Sequence, residues 1–135
     1  MITIDHLGIA VKDLTSAKTL YELLGLKVVS EEVVEHEKVK VAMIPVGESR
    51  VELLQATSED SPVGKFIAKR GEGIHHIALH VPNLNEAVAE LKKKGTRLVS
   101  DEIKVGAGGH LYVFIHPSSA GGVLIELCQD PVSPA

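Results

Sequence analysis

The chain has 135 residues, 44% hydrophobic and 24% charged, which is the composition of one folded domain of ordinary size. A net charge of −4, no tryptophan and 3% aromatic residues exclude a surface built for phosphate contacts and base stacking, and no apolar run reaches the ~20 residues of a membrane helix. One cysteine, Cys128, permits no intrachain disulfide and Met1 leads straight into strand-like sequence, so a cytoplasmic protein without nucleic-acid or membrane partners is expected.

Residues 2–11 alternate as a strand, with Leu7, Ile9 and Val11 on one face and Ile4, His6, Gly8 and Ala10 on the other, less bulky one. The pattern then predicts a helix with Thr15 as N-cap, apolar at Ala17, Leu20, Leu23 and Leu24, and ended by Gly25. Strands are expected over 26–34, 39–46 and 50–56, with a charged turn at 35–38, which completes a first module over 2–56. Residues 57–72 read as a linker with a short helix opening at Pro62. A second module over 73–129 follows: strand 73–81, helix 85–94, strand 97–103, a glycine loop at 104–109, strand 110–116, a turn, and strand 123–129. The tail, 130–135, reads as disordered.

The second module echoes the first. At an offset of 70 residues the chain matches at His6/His76, Val11/Val81, Leu14/Leu84, Ala17/Ala87, Gly25/Gly95, Val29/Val99 and Ser30/Ser100. Near each module's end Val51-Glu52-Leu53-Leu54-Gln55 answers Ile125-Glu126-Leu127-Cys128-Gln129. Each half thus supplies one histidine on its first strand and one glutamate on its last. A lone histidine on a strand is commonly structural, but a carboxylate inside an aliphatic strand is costly unless paired, hydrogen-bonded or bound to metal. Two at equivalent positions, each with an equivalent histidine upstream, make a joint site the economical explanation. If the halves form one continuous sheet about a pseudo-twofold axis, His6, Glu52, His76 and Glu126 can converge there. Two imidazoles and two carboxylates suit a divalent ion such as Co, Ni, Mn, Fe or Zn. His75 falls on the opposite face and reads as structural, His80 follows His76 on the same face as a cavity-lining residue, and Cys128 reads as a small buried hydrophobe. His110 and His116 receive no role.

These features resemble the vicinal oxygen chelate superfamily, whose fold is α+β: two pseudo-twofold-related β-α-β-β-β modules forming a curved mixed sheet around a central metal cavity. Within it, Asp5-His6-Leu7-Gly8-Ile9-Ala10-Val11, Asp60-Ser61-Pro62, Gly73-Ile74-His75-His76-Ile77, the 104–109 loop and Gly122-Val123-Leu124-Ile125-Glu126-Leu127 are similar to methylmalonyl-CoA epimerases. The resemblance implies one domain over 1–135 and a homodimer that binds a divalent ion, cobalt foremost with Mn, Ni, Zn or Fe as alternatives. It also implies R/S interconversion of methylmalonyl-CoA at C2 through a metal-chelated enolate on the site that the repeat assigns to His6, Glu52, His76 and Glu126; proton transfer is expected from Glu126 on one face and from Glu52, its pseudo-twofold mate, on the other. Some members of that family carry glutamine at the position of Glu52 and a catalytic glutamate where this chain has Val41, so Glu37 and Lys40 stand as weaker candidates for the second base. Lys65, Lys69 and Arg70 are candidates for CoA phosphates, and Gly106, Gly108 and Gly109 for backbone contacts to the acyl carboxylate. The competing readings are a glyoxalase I-like lyase, an iron dioxygenase and a metal-free small-molecule binding protein.

Overall fold

The computed structural model describes residues 1–131, so the expected disordered tail lies, from 132 onward, outside the described residues. The order of elements is β1 (Thr3–Ala10), α1 (Leu14–Leu23), β2 (Ser30–Val34), β3 (Val39–Val46), β4 (Ser49–Ala56), α2 (Pro62–Arg70), β5 (Gly73–His80), α3 (Leu84–Lys93), β6 (Lys104–Val105), β7 (Leu111–Ile115) and β8 (Ile125–Gln129). They fall into two compact units, one spanning 6–75 and the other combining 1–5 with the chain from 76 onward.

Each unit builds the same motif. In the first the strands lie in the order β2-β3-β4-β1, with β2, β3 and β4 antiparallel and β1 parallel to β4. In the second the order is β5-β8-β7-β6, with β5 parallel to β8 and the remaining neighbours antiparallel. One face of each sheet is closed by its helix. Leu14 of α1 packs with Val11, Ala42, Ile44 and Leu53, and Ala17 and Tyr21 lie against that cluster. Leu84 and Val88 of α3 pack with Val81, Val113 and Leu127. The alternation of a strand then sends His6, Gly8 and Ala10, or His76 and Ala78, to the face away from the helix.

The first helix begins two residues and the third one residue earlier than the pattern predicted, and Thr15 is not the cap of α1. Asp13 is the N-cap: its carboxylate accepts from the Thr15 backbone N–H at 3.1 Å and from the Ser16 hydroxyl at 2.8 Å. Asn83 serves α3 in the same way, accepting from the Glu86 N–H at 3.1 Å. The first helical N–H of each helix, Leu14 or Leu84, donates instead to a side chain from the last strand of its own unit, Gln55 at 2.7 Å or Gln129 at 2.8 Å. The echoed glutamines thus satisfy donors that a helix leaves unpaired at its start.

Two expected strands are shorter. Over 26–29 Leu26 and Val28 pack under α1, and only Val29 reaches the sheet, donating to the Met43 carbonyl at 2.9 Å. The strand expected over 97–103 reduces to an isolated bridge between Leu98 and Ile115, because Ser100 accepts the Glu102 N–H in a local turn. The edge strand forms instead at Lys104–Val105, inside the expected loop.

The linker is pinned. Ser61 is buried, caps α2 by accepting the Gly64 N–H at 3.0 Å, and donates to the Ser58 carbonyl at 2.7 Å. Gly64 is required by space, since a methyl there would sit 2.7 Å from the carbonyl oxygens of both Ser58 and Glu59. The Ser58 hydroxyl donates to Asp60, whose second oxygen lies 2.9 Å from Lys38 Nζ. These two partners hold the Asp60 carboxyl down at about 2.

Candidate functional site

On the open face of the first unit, Gly8 lies directly across from Glu52 on one side and Met43 on the other. In the second, Ala78 and Phe114 flank Glu126 in the same way. A residue with little or no side chain beside each glutamate leaves it room to reach the histidine two positions back along the neighbouring strand. His6 Nδ1 lies 3.0 Å from Glu52 Oε2, and His76 Nε2 lies 3.0 Å from Glu126 Oε1. His6 and His76 are each 4% exposed and Glu52 is 7% exposed. The Phe114 ring stands edge-on to His76, 5.5 Å between centroids, and Tyr112 stands edge-on to Phe114 at 5.6 Å.

Within each unit, then, the structure brings together the predicted histidine and glutamate. Burying such a pair is a poor way to gain stability, because desolvation offsets most of the attraction, whereas removing one partner costs about 3–5 kcal/mol. Two such pairs at repeat-equivalent positions, with His6, Glu52 and His76 buried and Glu126 partly so, therefore point to binding. The donor set fits a divalent ion: oxygen and nitrogen ligands ~2.1 Å from a metal in adjacent positions lie about 3 Å apart, as these do.

The weaker candidates sort by face. Lys40 alternates with Val39 and Val41, which places it on the side of Ala42 and Ile44, and its Nζ lies 3.9 Å from Glu31. Glu37 sits in the turn after β2, its carboxylate 3.8 Å from His36. Val41 and Met43 share the face of Glu52. Glu32, which sequence reasoning passed over, pairs across from Val41 and so belongs to that face too, on an exposed edge strand. Its signal was the period of two through Ser30, Glu32 and Val34, legible only once the register was known.

The other histidines find separate work. His75 stands edge-on to Phe66 of α2 at 5.0 Å. His116 accepts the Ser118 N–H at 3.0 Å on Nδ1 and caps the turn before β8. His80 and His110 both approach Asp130. Cys128 is buried, its thiol directed at the Leu79 carbonyl at 3.6 Å. Lys69 and Arg70 lie in the last turn of α2, with Arg70 5.9 Å from the Phe66 ring centroid.

The Glyoxalase/Bleomycin resistance protein/Dioxygenase superfamily matches over residues 5–114, most of the chain. The chain belongs to this superfamily. Among its members, the human mitochondrial methylmalonyl-CoA epimerase is 41% identical over 128 residues, covering 93% of this chain and 73% of that one. A methylmalonyl-CoA epimerase solved with methylmalonyl-CoA and NH4+ superposes with a TM-score of 0.91 at 39% identity, covering 97% of each chain. A Streptomyces coelicolor methylmalonyl-CoA epimerase in complex with 2-nitronate-propionyl-CoA gives 0.91 at 39% identity over 98% of each chain. The superfamily fold expected from the duplicated modules is thereby established. Among the described residues no helix is long and apolar enough to cross a membrane.

Proposed function

We propose that this protein is a metal-dependent methylmalonyl-CoA epimerase, interconverting the R and S configurations at C2. The observation that carries the reading is the pair of histidine–glutamate contacts, one in each half at the same place in the repeat, in a chain whose relatives include methylmalonyl-CoA epimerases over nearly its whole length. The C2 proton of the substrate lies between a thioester carbonyl and a carboxylate, so a modest base can remove it if the resulting enolate oxygen is stabilised. A divalent ion held by His6, Glu52, His76 and Glu126 would supply that Lewis acidity, with cobalt the first ion to test.

Epimerisation needs a proton acceptor on one face of a planar intermediate and a donor on the other. Glu126 serves one face and Glu52, its mate in the repeat, serves the other. Each carboxylate has two oxygens, so one can stay with its histidine or ligand partner while the other takes or returns the proton at C2. His6 and His76 fix the rotamers of these glutamates, and burial keeps bulk water from competing for the intermediate. Lys40 is set aside as a base because its strand position turns it to the helix side. The reading includes a homodimer in the cytoplasm, in keeping with two small modules and a single cysteine, which permits no intrachain disulfide.

The test is one NMR experiment with methylmalonyl-CoA, cobalt(II) or manganese(II) and the protein in deuterated buffer. The C2 position should become deuterated from either epimer, at a rate that falls when the ion is removed. Absence of C2 deuteration with both ions refutes the assignment.

A further inference from the structure

The two modules carry the same helix with opposite outer faces. Inward, α1 and α3 bury matching side chains, Leu14 and Leu84 at their starts, with Ala17 and Tyr21 or Ala87 and Leu91 packed beside them. Outward, the repeat matches Leu20 with Glu90, Leu23 with Lys93 and Leu24 with Lys94, and all six are exposed. On α3 this is a solvated face of mixed charge. On α1 the three leucines are 60%, 81% and 69% exposed. Folding a module does not call for leucine at these places, since its twin folds with charges there. Spaced three and four apart, the leucines form one stripe, and the exposed residues beside it, Ser16 and Thr19, are uncharged.

The charges at the two ends of the stripe indicate what covers it. At the start of α1 stands Asp13, exposed, its carboxylate over the first turn. Just past the end Lys27 is exposed and turned outward, because its neighbours Leu26 and Val28 pack inward. Lys18 and Glu22 lie on the opposite flank of the helix, where Lys18 reaches Glu31 of β2 at 3.1 Å. A second α1 laid antiparallel on the stripe therefore sets each acid against the other copy's base, and each positive helix end against a negative one. Laid parallel, it would set like against like. A twofold axis makes each of these contacts twice, as a closed dimer requires. The chain carries a net charge of −4, so an uncharged apolar stripe is also where two copies approach with least repulsion.

We infer that the outer face of α1 is the surface on which a second copy of this chain docks, α1 against α1 and antiparallel. The inference rests on the homodimer of the reading above and names its surface. Leu20 stands midway between Asp13 and Lys27 in the chain, so it lies on the axis and meets its own copy, while Leu23 and Leu24 pack over the start of the other helix. Three leucines with a polar rim supply the apolar centre around which an interface of about 800 Å² per partner is built.

The test is sedimentation velocity on the whole protein over roughly 1–200 μM, with α3's own side chains transplanted onto α1 as Leu20→Glu, Leu23→Lys and Leu24→Lys together. Wild type should be a dimer, and the triple variant should dissociate with a Kd raised at least about tenfold while keeping the wild-type melting temperature. Lys27→Glu should weaken the dimer about 2–5-fold at low salt and less at high salt, because it faces the partner's Asp13 with a like charge. Under copper-catalysed air oxidation Leu20→Cys should form a covalent dimer much faster than Glu90→Cys on α3, with the buried Cys128 common to both. A wild-type dimer that survives the triple substitution overturns the inference, as does Leu20→Cys oxidising no faster than Glu90→Cys. A wild type that stays monomeric overturns this interface together with the homodimer and leaves the stripe to a different protein. Deuterium exchange at C2 decides the epimerase reading separately from all of these results.

Discussion

Replacing Glu52 by glutamine separates ligand from base. Glutamine keeps the shape and one oxygen that can approach a metal, but it does not take a proton at neutral pH. Loss of a positioned general base is worth about 10²–10⁴-fold, or roughly 3–5 kcal/mol of barrier. The collateral effect is smaller: at 3.0 Å from His6 Nδ1 in a buried pair, the change converts a charge-assisted contact to a neutral one, about 1–2 kcal/mol of stability. A melting temperature lowered by about 3–10 °C would register that part alone. The assay is deuterium incorporation at C2, started separately from the R and the S epimer with saturating metal. Glu52→Gln should lose proton abstraction from one epimer, and Glu126→Gln from the other. Wild-type exchange from both epimers in Glu52→Gln would show that Glu52 takes no part in proton transfer, and Glu32, on the same face, would then be the next residue to replace.

Three further outcomes follow from the same geometry. Divalent metal at about 100 times its Kd should stabilise the fold by about 2.7 kcal/mol, chelation should reverse this, and His6→Ala should abolish the shift in a thermal melt. Gly64→Ala forces a methyl onto two backbone carbonyls and should cost about 1–3 kcal/mol in urea unfolding, with the entry to α2 displaced. Asp60 is held at about 2 by Ser58 and Lys38, below its ordinary 3.8, so its contribution is full above pH ~4 and is lost as pH falls through about 2. Asp60→Asn should accordingly be less stable than wild type at pH 7 and equal to it near pH 2, measured by urea midpoints.

The repeat made the motif and both pairs legible, because a period of two fixes which side of a strand a residue faces and because His6/His76 and Glu52/Glu126 stand in equivalent strands. What it left out depends on partners distant in sequence. Nothing near Leu14 announces that its N–H belongs to Gln55, and so the cap moved from Thr15 to Asp13. The 97–103 segment has the alternation of a strand, but Ser100 ties its own turn before a ladder can form. Glu32 and the Asp130 cluster needed the register, which local pattern does not contain.

The two pairs share a composition but not a ring edge. His6 turns Nδ1 to its glutamate, and His76 turns Nε2. Duplication copies backbone positions but leaves side-chain torsions to local packing, here with Met43 beside one glutamate and Phe114 beside the other. The two imidazoles consequently differ in tautomer preference and in reach, and nitrogen-15 spectra should separate them despite the symmetry of the sequence.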